Sequence, residues 1–208
     1  MISASRYRRT FRRTGIGIAA TASAAFLWAG CTPAQPAIIN YAGHFRANPT
    51  ARIHPTGIVL HWWGGTSGGR GINALVDTLN RAGGSVQLGT LQDGRTYQLT
   101  DRFDVFAQQA ACANVSTIGN EIEGGGNGTS SDMINDARQF NAVVDSTAYL
   151  MRKYNIPLNG PIYGDRNLVI GVHSHKEVDA KCPRGNGKID VDDAYMNKVR
   201  AALRARGF

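Results

Sequence analysis

The distribution of hydrophobic residues predicts strands and helices in alternation along the chain. Short apolar runs at 57–62, 115–123 and 168–172 have the length and composition of buried strands. An Asp-Gly pair at 93–94 separates two further β-rich runs, which indicates a hairpin over 85–100.

Apolar residues also recur every three or four positions over 72–81 and 131–154, which predicts two amphipathic helices. Acidic residues early and basic residues late over 192–206, followed by Gly207, predict a third helix. Ser130 or Ser131 is expected to cap the second of them. Because strands and helices alternate, we expect an α/β fold in which a single domain has a mixed central β-sheet with helices packed on its faces.

Composition narrows the class of protein. The chain has 208 residues, of which 42% are hydrophobic and 18% charged, which excludes a disordered chain and a small disulfide scaffold. The formal net charge is +8, but five of the 23 basic residues and none of the 15 acidic residues lie in 1–31. The rest of the chain carries only +3, so the charge does not indicate a nucleic-acid partner.

The first 31 residues have the layout of an export signal. An arginine-rich stretch precedes an apolar run from Gly15 to Gly30, which is short for a membrane span. Arg8-Arg9-Thr10-Phe11 resembles a twin-arginine export motif, and Leu27-Trp28-Ala29-Gly30-Cys31 resembles a lipobox. We therefore expect a signal peptide over 1–31, lipidation of Cys31, a Pro-rich tether over 32–56 and a folded domain over 57–208.

Residues that can bind a metal follow the predicted strands. His61 ends the first strand, Glu121 lies in a later one, and His173 and His175 follow the last, with Cys182 seven residues further on. Side chains at strand ends meet at one edge of an α/β sheet. Two imidazoles and one thiolate would form a zinc site with an open position for water, and a nearby carboxylate would move the proton.

The cysteines allow a second interpretation. If Cys31 carries lipid, Cys112 and Cys182 remain, and in an oxidising compartment they would form a disulfide. A disulfide at Cys182 excludes its use as a zinc ligand, so the two interpretations compete.

Several motifs together resemble one enzyme family. They are Ile58-Val59-Leu60-His61-Trp62-Trp63-Gly64-Gly65, the strand from Ala113 to Gly124, and the segment Val169–Val178 followed by Lys181-Cys182-Pro183. In this order they resemble the type-2 N-acetylmuramoyl-L-alanine amidases, which include phage-lysozyme-type amidases and peptidoglycan recognition proteins. The resemblance covers roughly residues 57–205 and implies the fold of that family.

The resemblance implies particular roles. His61, His175 and Cys182 would bind Zn²⁺, Glu121 would be the general base, and Lys181 would stabilise the oxyanion. His173 remains an alternative to His175, and Glu123 remains an alternative to Glu121. Trp63 and Asn114 are expected to contact the substrate.

Several positions depart from the family pattern, and two of them are close to the expected ligands. The lysine commonly lies two residues before the last ligand, whereas Lys181 is adjacent to Cys182. Many relatives have a histidine about five residues before the asparagine that corresponds to Asn114, and this chain has Gln109 at that position.

The expected reaction is zinc-dependent hydrolysis of the amide bond between N-acetylmuramic acid and L-alanine, with peptidoglycan or muropeptides as partners. The protein is expected to be exported to the cell envelope, with the membrane reached only through a lipid on Cys31. Two alternatives are a lipoprotein that binds peptidoglycan without cleaving it, and a structural lipoprotein with a Cys112–Cys182 disulfide.

Overall fold

The computed structural model describes residues 35–47, 49–63, 70–124 and 129–208. The predictions of a signal peptide and of lipidation at Cys31 lie outside the described residues. Within the described part of the chain, no helix is long and apolar enough to cross a membrane.

In the described ranges, six strands form one mixed sheet, and two short strands form a separate pair. Their bounds are β1 Ile38–Asn40, β2 Gly57–Trp63, β3 Leu88–Thr90, β4 Thr96–Gln98, β5 Thr117–Glu123, β6 Ile162–Tyr163, β7 Leu168–Val169 and β8 Gly171–Ser174. The order in the large sheet is β1-β4-β3-β5-β2-β8, in which only β3 and β4 are antiparallel neighbours. This confirms the predicted mixed α/β sheet and its hairpin.

The described part of the chain also contains five α-helices. They are α1 Ile72–Ala82, α2 Ser131–Asn135, α3 Ala137–Tyr154, α4 His175–Asp179 and α5 Asp193–Ala205. Ile58 and Leu60 of β2 join a core cluster with α3 and α5, whereas Trp63 joins a separate cluster with Leu75 and Val76 of α1. Because side chains alternate along a strand, His61 lies on the same face of β2 as Trp63.

The helix predicted over 131–154 is interrupted at Asp136. The carboxylate of Asp136 accepts hydrogen bonds from the backbone N–H groups of Arg138 and Gln139 and so caps α3. Ser130 precedes α2 but does not cap it with its side chain, because its hydroxyl donates to Asp192 at 2.6 Å.

Part of the segment expected to be a tether belongs to the folded domain. β1 pairs in parallel with β4, and Phe45 is buried in the cluster that contains Trp63. Arg52 forms an isolated bridge with Val105. The prediction of a tether over the whole of 32–56 is therefore wrong for these residues, because backbone pairing and apolar burial hold them against the sheet.

Candidate active site

Neighbouring parallel strands bring a histidine and a glutamate together. His61 of β2 and Glu121 of β5 occupy paired positions in the register. Paired residues on adjacent strands project to the same face of the sheet, and both side chains line one cavity. His61 is buried and Glu121 is partly buried, each at the fifth position of a seven-residue strand.

His175 is placed by the start of α4. Ser174 and Glu177 form a capping box: the Ser174 hydroxyl accepts the Glu177 N–H at 3.0 Å, and the Glu177 carboxylate accepts the Ser174 N–H at 2.9 Å. Arg200 donates to both oxygens of Glu177, at 2.9 and 2.7 Å. His175 is the first helical residue after this cap, so its backbone position is fixed.

The first turn of α4 also positions Asp190 through a backbone hydrogen bond. Its carbonyl accepts the backbone N–H of Lys176 at 2.6 Å, one of the N–H groups that a first helical turn leaves without an intrahelical partner. This bond draws the segment before α5 against α4 and brings the Asp190 side chain beside His175.

Three buried side chains form a compact donor set. His61 Nδ1 lies 3.0 Å from His175 Nδ1, and Asp190 Oδ2 lies 3.2 Å from His175 Nδ1 and 3.5 Å from His61 Nδ1. Ligands at about 2.0–2.2 Å in a tetrahedral zinc site are roughly 3.3–3.6 Å apart. The three observed separations lie inside this range or within about 0.3 Å of it, so two imidazoles and a carboxylate in this arrangement are a potential metal-binding group for a single zinc ion.

Burial and neighbouring groups shift the pKa of Asp190 and the pKa of Glu121 in opposite directions. Burial opposes ionisation of Asp190, but the adjacent side chains of His175 and His61 outweigh it and lower its pKa. Burial raises the pKa of Glu121 to about 7, with a further rise from Asp190, while His61 and Lys188 act in the opposite direction. A carboxyl group with this pKa can take up and release a proton near neutral pH.

The donor set opens into a cavity of about 660 Å³. Both polar and apolar side chains line it. Among the described residues, the lining includes His61, Trp62, Leu79, Gln108, Gln109, Asn114, Glu121, His175, Asn186, Lys188, Ile189 and Asp190.

The structure corrects the third predicted ligand. Cys182 forms a disulfide with Cys112, with their Cα atoms 5.7 Å apart, so its sulfur is not available as a thiolate. Asp190 takes the third position beside the two histidines. Of the two interpretations of Cys182 that the sequence allowed, the disulfide is the one that the structure contains.

The lysine at the cavity also differs from the predicted one. Lys181 is exposed and does not line the cavity, whereas Lys188 does. Lys188 lies two residues before Asp190, which is the spacing common in the family. That spacing is the sequence feature that would have identified both Lys188 and Asp190.

The alternatives His173 and Glu123 have other partners. His173 Nε2 lies 2.8 Å from the carbonyl of Ile170, and its Nδ1 lies 3.4 Å from Glu177. The carboxylate of Glu123 accepts the backbone N–H groups of Gly71 and Gln92, at 3.0 and 2.9 Å. Of the candidate pairs, the structure brings His175 and Glu121 to the cavity.

The expected substrate contacts are placed differently. Trp63 is buried with α1 and is absent from the described lining of the cavity, so its expected role is corrected to core packing. Its neighbour Trp62 does line the cavity. Asn114 also lines it, but its side-chain oxygen accepts the N–H groups of Gln109 and Ala110, at 2.9 and 2.7 Å.

Comparisons with known proteins agree with this fold. The family model described as N-acetylmuramoyl-L-alanine amidase matches residues 50–185. Among curated proteins, no significant sequence match was found.

Solved structures supply further similarity. An endolysin N-acetylmuramoyl-L-alanine amidase, LysCS from Clostridium intestinale, has 18% identity and a TM-score of 0.59, with 82% of this chain and 97% of that chain covered. The hydrolase AmiA of Staphylococcus aureus, in complex with its ligand, has 18% identity and a TM-score of 0.59, with coverage of 82% and 85%. A mutant endolysin from Bacillus subtilis has 19% identity and a TM-score of 0.55, with coverage of 80% and 99%. At these identities the likeness concerns the fold.

Proposed function

The chain belongs to the N-acetylmuramoyl-L-alanine amidase family, and from this membership we propose that it is a zinc-dependent enzyme. It hydrolyses the amide bond between the lactyl group of N-acetylmuramic acid and the L-alanine of the stem peptide. Its substrates are peptidoglycan or fragments of it.

The observation that carries the proposal is the donor set His61, His175 and Asp190. Its three ligand atoms lie 3.0–3.5 Å apart at the base of the cavity that Glu121 also lines. This set supplies three protein ligands and leaves one position for water, as in catalytic zinc sites. Zinc held there would lower the pKa of a water molecule and polarise the substrate carbonyl.

The remaining steps belong to the side chains of the chain itself. Glu121 takes the proton from the attacking water as the water oxygen bonds to the carbonyl carbon. It then delivers that proton to the nitrogen of L-alanine as the C–N bond breaks, so that a carboxylic acid and an amine are released. Lys188 borders the same cavity and carries the positive charge that would stabilise the developing oxyanion.

We also propose that the protein works outside the cytoplasm and is tethered by a lipid on Cys31. The support is the arginine-rich and apolar sequence over 1–31 and its final cysteine. The Cys112–Cys182 disulfide supports an oxidising compartment.

The direct test is to incubate the mature protein with purified sacculi, with and without a chelator, and to identify the released ends by mass spectrometry. We expect free L-alanine amino termini and intact N-acetylmuramic acid, and we expect the chelator to abolish their release. Glycan cleavage, or release that the chelator does not affect, would contradict the proposal.

A matched pair of variants links the activity to the donor set. His61→Ala should lose both stoichiometric zinc and activity, because one of three protein ligands is removed. His54 is an exposed histidine outside this cavity, and His54→Ala should retain both. Binding to sacculi without any release of ends would instead favour the alternative of a non-catalytic recognition protein.

A further inference from the structure

Two glutamine side chains, Gln87 and Gln109, form a chain of hydrogen bonds that reaches His61 at Nε2. The other ring nitrogen of His61, Nδ1, is the one that faces His175 and Asp190. Gln87 is fully buried, and its amide lies between backbone groups of two different segments. Its Nε2 donates to the carbonyl of Val105 at 2.7 Å, and its Oε1 accepts the N–H of Gly119 at 2.7 Å. Because a backbone carbonyl only accepts and a backbone N–H only donates, these contacts fix which way the Gln87 amide faces.

Gln109 is fixed in turn by acceptors. Its Nε2 lies 3.2 Å from the carbonyl of Thr117, 3.2 Å from Thr117 Oγ1 and 3.5 Å from Gln87 Oε1. The Thr117 hydroxyl already donates its hydrogen to the carbonyl of Ala113 at 2.9 Å, so it can only accept from Gln109. With acceptors on that side, the Gln109 amide must present its NH₂ group to them and its oxygen to the opposite side.

The oxygen of Gln109 faces His61. Gln109 Oε1 lies 3.0 Å from His61 Nε2. An amide oxygen can only accept, so the hydrogen of this bond belongs to His61 Nε2. A neutral imidazole that carries its hydrogen on Nε2 has an unprotonated Nδ1. That Nδ1 is the atom that lies 3.0 Å from His175 Nδ1 and 3.5 Å from Asp190 Oδ2.

We propose that Gln87 and Gln109 are positioning residues that hold His61 in the Nε2–H tautomer, so that its Nδ1 lone pair faces the zinc site before zinc arrives. Without Gln109, the nearby carboxylate of Asp190 would draw the single hydrogen of His61 to Nδ1, and zinc binding would have to displace it. The inference rests on the proposed function only in taking zinc as the ion to be bound.

Gly119 is part of the same arrangement. A Cβ atom at position 119 would collide with the side-chain amide of Gln109 and come within 2.7 Å of Val86 Cγ2. A residue larger than glycine would therefore push the Gln109 amide away from His61. This gives a physical reason for glycine in the Ile118-Gly119 part of the strand motif.

The first test needs no variant. In metal-free protein labelled with ¹⁵N, long-range correlation spectra assign the hydrogen of His61 to Nδ1 or Nε2. We expect Nε2–H. A spectrum with the hydrogen on Nδ1 would overturn the proposal.

The second test removes the acceptor. Gln109→Met keeps the length of the side chain but cannot accept from Nε2, so we expect the His61 hydrogen to move towards Nδ1. Zinc affinity, measured by competition with a chelator, should fall roughly 10- to 100-fold, as is typical when the partner of a ligating histidine is lost. Gln109→Glu retains an acceptor for Nε2 but loses the NH₂ group that donates to Thr117, so it should keep the Nε2–H tautomer and lose less affinity than Gln109→Met.

The matched control is Gln35→Met, which changes an exposed glutamine outside the cavity in the same way. It should leave the tautomer and the zinc affinity unchanged. Equal tautomer and affinity in wild type and Gln109→Met would overturn the proposal. Because the tautomer is read without metal, it tests the glutamines even if the wild-type protein binds no zinc, a result that would overturn the proposed function.

Discussion

At the scale of single residues, the two glutamates of β5 differ in what they contact. Glu121 and Glu123 project to the same face of the strand, two residues apart. The Glu123 carboxylate is occupied by the N–H groups of Gly71, before α1, and Gln92, in the hairpin turn. Glu121 lies at the cavity beside His61. One carboxylate is therefore bound to the backbone and the other lines the cavity.

Substituting each glutamate separates these roles. Glu121→Gln should retain zinc while kcat falls about 100- to 10,000-fold, the usual contribution of a general acid–base group. Glu123→Gln should instead lower the free energy of unfolding by roughly 1–3 kcal/mol, because two hydrogen bonds to a charged group are weakened. Amidase assays, zinc analysis and chemical denaturation measure the three quantities. A kcat loss confined to Glu123→Gln would reverse the assignment.

Some residues of the site can be predicted from the sequence pattern and others cannot. His61 and Glu121 follow from strand patterns, because register in a parallel sheet brings strand ends together. Asp190 is harder to predict, because it reaches the site through the bond between its carbonyl and the N–H of Lys176, which no periodicity encodes. Trp63 was misassigned because a strand pattern gives the face of a residue but not the helix that covers it.

At the scale of elements, the loop before Asp190 is organised by one carboxylate. Asp179, at the end of α4, accepts the N–H groups of Asn186, Gly187 and Lys188, with distances of 2.7–3.0 Å. Burial opposes ionisation of Asp179, but these backbone bonds outweigh it and hold its pKa below the ordinary value of 3.8. The loop that carries Lys188 thus depends on a charge at Asp179.

Asp179→Asn should loosen this loop. An amide has one acceptor in place of two charged oxygens, so we expect faster hydrogen exchange at 186–188 and a loss of about 2 kcal/mol in the free energy of unfolding. Because the folded state lowers the pKa of Asp179, its stabilisation is present above pH 3.8 and is lost as pH falls through the lower folded value. The difference between wild type and variant should therefore shrink in acid, and a difference that grows there would contradict this explanation.

The disulfide connects two elements that flank the cavity. Cys112 lies in the 3-10 turn Ala111–Ala113, and Cys182 lies in the segment after α4, 70 residues away. In the chain-entropy model, closing a loop of this length raises the free energy of the unfolded state by about 4 kcal/mol. The bond therefore contributes to stability, whereas the donor set does not include its sulfur atoms.

Replacing both cysteines tests whether the disulfide contributes to stability and not to zinc binding. The double variant Cys112→Ser and Cys182→Ser should unfold at lower denaturant concentration, with a loss of roughly 2–5 kcal/mol, while zinc binding by the folded protein is retained. Asp190→Ala should show the opposite pattern, with zinc lost. Loss of stoichiometric zinc in the folded cysteine variant would restore Cys182 as a ligand.

Element prediction succeeded where the periodicity was strong and failed where a single residue decided the outcome. The strand at 57–62 and the helix at 72–81 agree with β2 and α1 within two residues, because uninterrupted apolar patterns define them. The break between α2 and α3 depends on Asp136, whose carboxylate competes for the helix N–H groups of its own segment. Such local competition leaves the apolar periodicity of 131–154 intact and is therefore invisible to it.

At the scale of the whole molecule, most of the excess positive charge and the candidate lipid anchor Cys31 lie in residues 1–31. Residues 1–31 hold five arginines and end in Cys31, and the rest of the chain has a formal net charge of only +3. Membrane attachment through a general basic surface would weaken with salt. Attachment through acyl chains would persist in salt, because each buried methylene contributes about 0.8 kcal/mol irrespective of charge.

Cys31→Ser therefore distinguishes the two forms of attachment. If Cys31 carries the lipid, the wild-type protein should remain with the membrane fraction in high salt and enter the detergent phase. The variant should be recovered in the aqueous phase. Arg152→Ser is a suitable control, because it removes a charge from the folded domain without altering the N-terminus. Equal partitioning of wild type and Cys31→Ser would exclude Cys31 as the anchor, and the enzyme would then reach peptidoglycan without a tether at this position.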